Sequence, residues 1–219
     1  MNVFTLKIIA LITMMIDHYG AIFQNDLELY RIIGRIAFPI YCFLLIEGYL
    51  HTKDVKKYAS RLFIFALVSE IPFDLAFYGR LGFYHQNIFF TLFIGLVTIY
   101  LLDNPDKHKL GKGYTYFFAA IISIVSGVDY NIIGLIYILI FYYTKDFVRV
   151  SRIPRVALLM FLTNILLVSK TQQFALLALP ILYLYNGELG PKNKLLQFLF
   201  YAAYPLHLII YYLVNISLI

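Results

Sequence analysis

Nine apolar stretches separated by short polar breaks account for almost all of this 219-residue chain, and no other feature constrains its fold as strongly. They run over residues 4–23, 29–50, 58–78, 86–102, 114–128, 131–143, 153–168, 172–185 and 197–218. A helix crosses the hydrocarbon core of a bilayer with about 20 predominantly apolar residues. In lipid, every backbone N–H and C=O must find its partner within the segment, so stretches of this kind fold as helices. The expected fold is all-α: a polytopic transmembrane helix bundle of about nine helices, or eight if the short stretches 131–143 and 172–185 do not both span. Charged residues make up 14% of the chain, against about 25% in soluble domains. Nothing is left over for a soluble unit, so residues 1–219 read as a single integral membrane domain.

The breaks carry polar and turn-forming residues: Gln24-Asn25-Asp26, Lys53-Asp54, Gly79-Arg80, Asn104-Pro105-Asp106, Asp129-Tyr130-Asn131, Lys145-Asp146 and Asn186-Gly187-Glu188. Their basic residues set a direction. In a nine-helix topology, one set of alternate breaks (53–61, 107–112, 145–155 and 192–194) holds thirteen lysines and arginines. The other set holds Arg31, Arg80 and Lys170. Cytoplasmic loops carry such an excess, so the N-terminus is expected inside and the C-terminus outside, in a multi-pass arrangement. An eight-helix topology would break the alternation. The net charge of +6 reads as this loop charge rather than as a nucleic-acid footprint, and no nucleic-acid partner is expected. The first stretch lacks a basic leader and a small-residue cleavage site, so it reads as a retained helix. Cys42 is the sole cysteine; it excludes an intrachain disulfide and a cysteine metal site and reads as a small buried hydrophobe. No metal is expected. No Gly-rich phosphate loop, HExxH or GxSxG occurs.

An ionisable side chain near the centre of a spanning helix costs about 2.5–3.5 kcal/mol on insertion scales, so such residues are candidates for function. Several fall towards the expected outer face: Asp17 and His18, Arg31 and Arg35, Glu70 and Asp74, His85 and Asn87, and Asp129. Together they suit a polar chamber, although a structural ion-pair network that closes the bundle would use the same residue types. Arg31 and Arg35 are four apart and face Asp17, Glu70 or Asp74 as possible partners. Pro72, between Glu70 and Asp74, removes a helical donor. Lys7 and His18 are eleven residues apart, close to three helical turns, so they share a face of the first helix about 16 Å apart. That face presents a cation inside and a proton acceptor outside; a snorkelling lysine and an interfacial histidine would look the same. Glu47, Gly48 and His51 read as a solvated helix end. His207 falls in the middle of the last stretch.

Several runs carry a resemblance to a known family. Leu6-Lys7-Ile8-Ile9-Ala10 with Met14-Met15-Ile16-Asp17-His18 resembles the TraX family, as do the run from Arg31 to Ile40 and Phe43-Leu44-Leu45-Ile46-Glu47-Gly48. So do Tyr58-Ala59-Ser60-Arg61-Leu62, Ser69-Glu70-Ile71-Pro72-Phe73-Asp74, Asn87-Ile88-Phe89-Phe90-Thr91 and the run from Tyr201 to Leu208. The resemblance is densest over residues 6–91 and thin between 105 and 195. TraX proteins are associated with N-terminal acetylation of pilin. The family is similar to membrane acyltransferase-3 proteins, which carry a basic residue, ten intervening residues and a histidine on their first helix; Lys7 and His18 reproduce that spacing.

The resemblance implies an integral membrane O- or N-acetyltransferase. Cytoplasmic acetyl-CoA would be the donor substrate, with no permanently bound cofactor. The acceptor, a pilin N-terminus or a cell-envelope glycan, would be reached from the other face, with membrane lipid around the chain. His18 is the expected general base, with Asp17 or Asp74 orienting its ring. Arg35 or Asn87 would stabilise the oxyanion. Lys7, with Lys57 and Arg61, would hold the donor phosphates. Arg31, Glu70, His85, Asn87, Asp129 and His207 would line the acceptor side. A transporter or flippase with a polar intramembrane chamber would use the same residues and is distinguished by donor binding without transfer; a scaffold would tolerate their neutralisation.

Overall fold

The computed structural model describes residues 1–24, 27–167, 170–191 and 193–218. Asn25, Asp26, Val168 and Lys192, which enter the breaks, stretches and loop charges above, lie outside the described residues. In chain order the elements are α1 (Val3–Phe23), α2 (Glu28–Gly34), α3 (Ala37–His51), α4 (Val55–Tyr78), α5 (Ile88–Asp103), α6 (Pro105–His108), α7 (Lys112–Val125), α8 (Asn131–Tyr143) and α9 (Arg149–Leu167). A 3-10 segment (Lys170–Leu177), α10 (Ala178–Tyr183) and α11 (Lys194–Ser217) complete them. No strand occurs among the described residues; one isolated bridge joins Gln86 and Val128.

The polar breaks act as caps. Asn2, Asp54, Asn87 and Asn193 each accept a backbone N–H of the first turn of α1, α4, α5 and α11. These bonds satisfy donors that the helix itself leaves free. Gly79 ends α4 at φ +68°, the left-handed conformation that a residue without Cβ adopts cheaply.

The apolar stretches therefore become helices, with two corrections. Stretch 29–50 is interrupted by a turn at Arg35-Ile36, so α2 and α3 form a single run with a break. Stretch 172–185 is not one α-helix: it is the 3-10 segment followed by the six-residue α10. Its polar residues are tied sideways. The Gln172 carbonyl accepts Asn164 Nδ2 at 3.0 Å, and Gln172 Oε1 accepts Arg35 at 3.3 Å. Three runs are long and apolar enough to cross a membrane by length and composition: Val3–Phe23, Glu28–His51 and Lys194–Ser217. Shorter apolar helices are Ile88–Asp103, Lys112–Val125 and Asn131–Tyr143.

The core lies around α3, where Ile40, Cys42 and Ile46 are fully buried. There α1 packs on α2, α3 and α11, while α4 packs between α11 and α5, and α8 joins α3, α5 and α9. Outer faces stay apolar: Ile64, Leu67, Val68 and Ile71 along α4 are each more than half exposed. A contiguous exposed apolar face of this kind suits contact with lipid tails. The chain start is strapped to the connection before α11. The Met1 amine donates to Leu184 O at 2.7 Å, and Val3 N donates to Glu188 O at 2.9 Å. Gln86 N donates to Gly127 O and Asp129 N to Gln86 O, which draws the loop before α5 to the loop before α8.

Candidate functional site

One face of α1 carries Lys7, Met14 and His18, at offsets of two and three helical turns. A cavity of about 590 Å³ opens along that face. Its mouth holds Lys7, Glu47, His51, Tyr58, Arg61 and Lys194, and its interior is apolar, with Leu44, Leu45, Leu62, Phe89, Leu92 and Phe200. Its inner end is made by Met14, Tyr41, Ile88 and Tyr204. The same four residues line a second pocket of about 30 Å³, together with Asp17, His18, Gly34, Asp129 and Tyr130. That smaller space has room for about one water. The four shared side chains thus form a partition between a large, basic-mouthed cavity and a small polar one. In it, Tyr41 Oη lies 3.7 Å from Met14 Sδ, and the buried Tyr204 hydroxyl has no partner among the described residues.

At the mouth, Lys7 Nζ stands 5.5 Å from the centre of the Phe200 ring, and the Arg61 guanidinium stands 5.5 Å from that of Tyr58. Both side chains are half-buried, and Arg61 Nε has no partner among the described residues. Lys57 does not join them. It shares a helix face with Arg61 but lies one turn nearer the exposed start of α4, where it pairs with Asp54 at 3.5 Å and does not line the cavity. Glu47 is also corrected: it is buried rather than solvated, and its carboxylate accepts the Tyr185 hydroxyl at 3.0 Å.

In the small pocket, the Asp17 carboxylate is clamped by two arginines. Arg31 Nη1 lies 3.0 Å from Oδ2 and Arg35 Nη2 lies 2.9 Å from Oδ1. Arg35 also donates from Nε to Arg31 O at 3.2 Å and from Nη1 to Gln172. Gly34 lets this clamp close: the Asp17 carboxylate sits directly over its Cα. Asp17 therefore does not orient His18. The partner of that ring is His207, whose Nε2 lies 2.7 Å from His18 Nδ1. Both rings are buried and nearly parallel, with centroids 5.0 Å apart, and Phe77 and Tyr204 stand edge-on to His18.

Apart from Asp129, the remaining candidates do not converge on this pocket. Asn87 Nδ2 donates to Ala66 O at 2.7 Å and to Glu70 Oε2 at 2.5 Å, while its Oδ1 accepts Phe89 N. Both amide hydrogens are committed, so Asn87 has none for an oxyanion. Its work is to cap α5 and tie it to α4. Asp74 Oδ2 accepts Gly82 N at 2.9 Å, and among the described residues Asp74 makes no hydrogen bond to the His18 ring; its Oδ1 and Glu70 Oε1 are buried without a partner among the described residues. His85 is exposed in the loop before α5. Asp129, in the loop before α8 and outside the spanning segments, does line the small pocket. Loss of water pushes its carboxyl up to about 6. Sequence reasoning missed the partition. Met14 sits two turns from Lys7 and one from His18, and Tyr204 one turn before His207, so helical spacing alone pointed to both. Among the described residues, no group of three or more His, Cys, Asp or Glu side chains is placed to hold a metal ion.

The family model described as TraX protein matches residues 3–215. The chain belongs to the TraX family. A probable fimbrial assembly protein, FimC of serogroup H1 from Dichelobacter nodosus, is 27% identical over 94% of this chain and 93% of its own length. An uncharacterized protein, RP591 of Rickettsia prowazekii (strain Madrid E), is 32% identical over 51% of this chain and 42% of its own length. No solved structure matches. The family match spans both cavity-forming regions, α1 to α5 and α11, and its apolar helices are those of a membrane protein.

Proposed function

We propose that this TraX-family chain is a single-domain membrane acyltransferase of the bacterial cytoplasmic membrane. It moves an acetyl group from cytoplasmic acetyl-CoA to an amine or hydroxyl reached from the extracytoplasmic side. In this reading its apolar stretches form nine passes with the N-terminus inside, which places Lys7 and Arg61 at the cytoplasmic mouth and His18 towards the outer face. The acceptor is a pilin N-terminus or an envelope glycan; the fimbrial assembly relative favours the first.

One observation carries the proposal: the cavity of about 590 Å³ and the His18 pocket meet at a shared partition along one face of α1. A charged, elongated thioester fits such a space, with phosphates at the basic mouth and the acyl end at Met14 and Tyr204. His18 takes the acceptor proton as the new bond to the acyl carbon forms. The C–S bond then breaks, and the proton passes to the departing thiolate. One or two N–H groups of Arg35 remain for the oxyanion beyond those held by Asp17, Gln172 and the Arg31 carbonyl.

The test is thiol release from acetyl-CoA by purified protein, with water or an added amine as acceptor, for wild type and His18→Ala. The proposal expects release to fall at least tenfold in the variant while coenzyme A binding persists. Equal release removes His18 from the mechanism. Coenzyme A binding without any release in the wild type favours a transporter.

A further inference from the structure

The contact between His18 and His207 determines which nitrogen of His18 is basic. The Ala203 carbonyl can only accept, and it lies 2.9 Å from His207 Nδ1, so that nitrogen carries a hydrogen. In the neutral ring, Nε2 then holds a lone pair. His207 Nε2 is the atom 2.7 Å from His18 Nδ1, and a bond there needs one hydrogen, which His18 Nδ1 must supply. Neutral His18 is left with its lone pair on Nε2. The opposite tautomer would set two lone pairs against each other at 2.7 Å. No carboxylate contacts His207 among the described residues, so the neutral ring is the form this buried site accommodates.

The surroundings hold both rings in place. Tyr204 stands edge-on to both, Phe77 to His18 and Tyr211 to His207, and the Tyr211 hydroxyl is itself tied to Met15 O at 3.2 Å. Ala203 lies one turn before His207 on α11, so the hydrogen that starts this chain of bonds is set by the helix itself. Among the described residues, His18 Nε2 makes no hydrogen bond, which leaves it open to a reacting group.

We infer that His207 is a positioning residue for His18: through its Nε2 acceptor it locks His18 in the Nδ1–H tautomer and so makes Nε2 the base. This rests on the reading of His18 as the general base. The order Ala203 O, His207, His18 does for a neutral pair what a carboxylate does for the histidine of a hydrolase triad.

The experiment uses the full-length protein in detergent micelles with ¹⁵N-labelled histidine. Imidazole nitrogen–proton correlation spectra distinguish the two tautomers, and signals from the five histidines are assigned with single His→Gln variants at positions 51, 85 and 108. Wild type is expected to hold His18 as Nδ1–H. His207→Gln should retain that form, because its amide oxygen sits near the position of the lost Nε2. His207→Leu should shift His18 towards Nε2–H. Thiol release from acetyl-CoA should follow the tautomer: at least tenfold lower kcat in His207→Leu with KM within twofold, and recovery to within threefold of wild type in His207→Gln. An Nε2–H His18 in the wild type overturns the inference, as does an unchanged spectrum in His207→Leu. Should the leucine variant fail to fold, the wild-type spectrum still decides. Release that survives His18→Ala instead refutes the basic role of His18, and the spectrum separates that failure from failure of the lock.

Discussion

A methyl group on Gly34 would lie 2.1 Å from Asp17 Oδ1, 2.2 Å from its Cβ and 2.3 Å from its Cγ. Ordinary contact begins at 3.4 Å, so the nearest approach falls short by 1.3 Å. The φ of Gly34 is not positive, so the demand for glycine here is spatial and not conformational. Two effects oppose each other in Gly34→Ala. Helix propensity favours alanine by about 1 kcal/mol. Overpacking costs about 1–3 kcal/mol. The clash also pushes the carboxylate out of the Arg31 and Arg35 clamp, and breaking a buried pair outright would cost about 3–5 kcal/mol. The Arg31 side chain is 36% exposed and Arg35 keeps Gln172 and Arg31 O, so only part of that is lost. The net expectation is destabilisation by about 2–3 kcal/mol, the clash outweighing the propensity gain. The chain has no tryptophan, so the assay is unfolding by dodecyl sulfate in mixed micelles followed by helical circular dichroism. A double-mutant cycle with Asp17→Gly assigns the cause, because that change removes both the carboxylate and the Cβ. In its background Gly34→Ala should cost less than about 0.5 kcal/mol. The same cost in both backgrounds, or a stable Gly34→Ala protein, refutes the reasoning.

Met14→Phe thickens the partition between the two cavities; thiol release is expected to fall at least tenfold with coenzyme A affinity within twofold, measured by calorimetry. Equal losses in both would place Met14 at the donor site instead. Asn87→Ala removes a helix cap and the two amide bonds to Glu70 and the Ala66 carbonyl, leaving Glu70 only the backbone N–H of position 87, so unfolding should become easier by about 2 kcal/mol. An oxyanion role would instead leave stability intact and lower kcat. For Asp129, a carboxyl pushed up to about 6 in the fold from 3.8 binds a proton that the unfolded chain has released, so stability falls as pH rises from about 4 to 6. Asp129→Asn should flatten that slope in pH-dependent unfolding, and an unchanged slope assigns it to another group.

The apolar stretches and their breaks were legible because both are local. A helix in lipid satisfies its own backbone, and Asn2, Asp54, Asn87 and Asn193 cap the turn immediately following them. The pairing of Lys7, Met14 and His18 on one face follows from helical spacing. The 3-10 segment was not legible, since Gln172 is held by Arg35 and Asn164, residues far from it in sequence.

By itself the sequence determined an all-α membrane chain, the face of α1 shared by Lys7, Met14 and His18, and the Asp17 pairing with arginine as one of three choices. Tertiary structure decided the rest. It selected Asp17 from those choices, turned Asn87 and Asp74 to structural contacts, set Lys57 and His85 in solvent and brought His207 to His18 across 189 positions. The physical reason is that residue type and spacing specify what a side chain can donate or accept. Which partner it meets depends on how α1, α2, α4 and α11 pack.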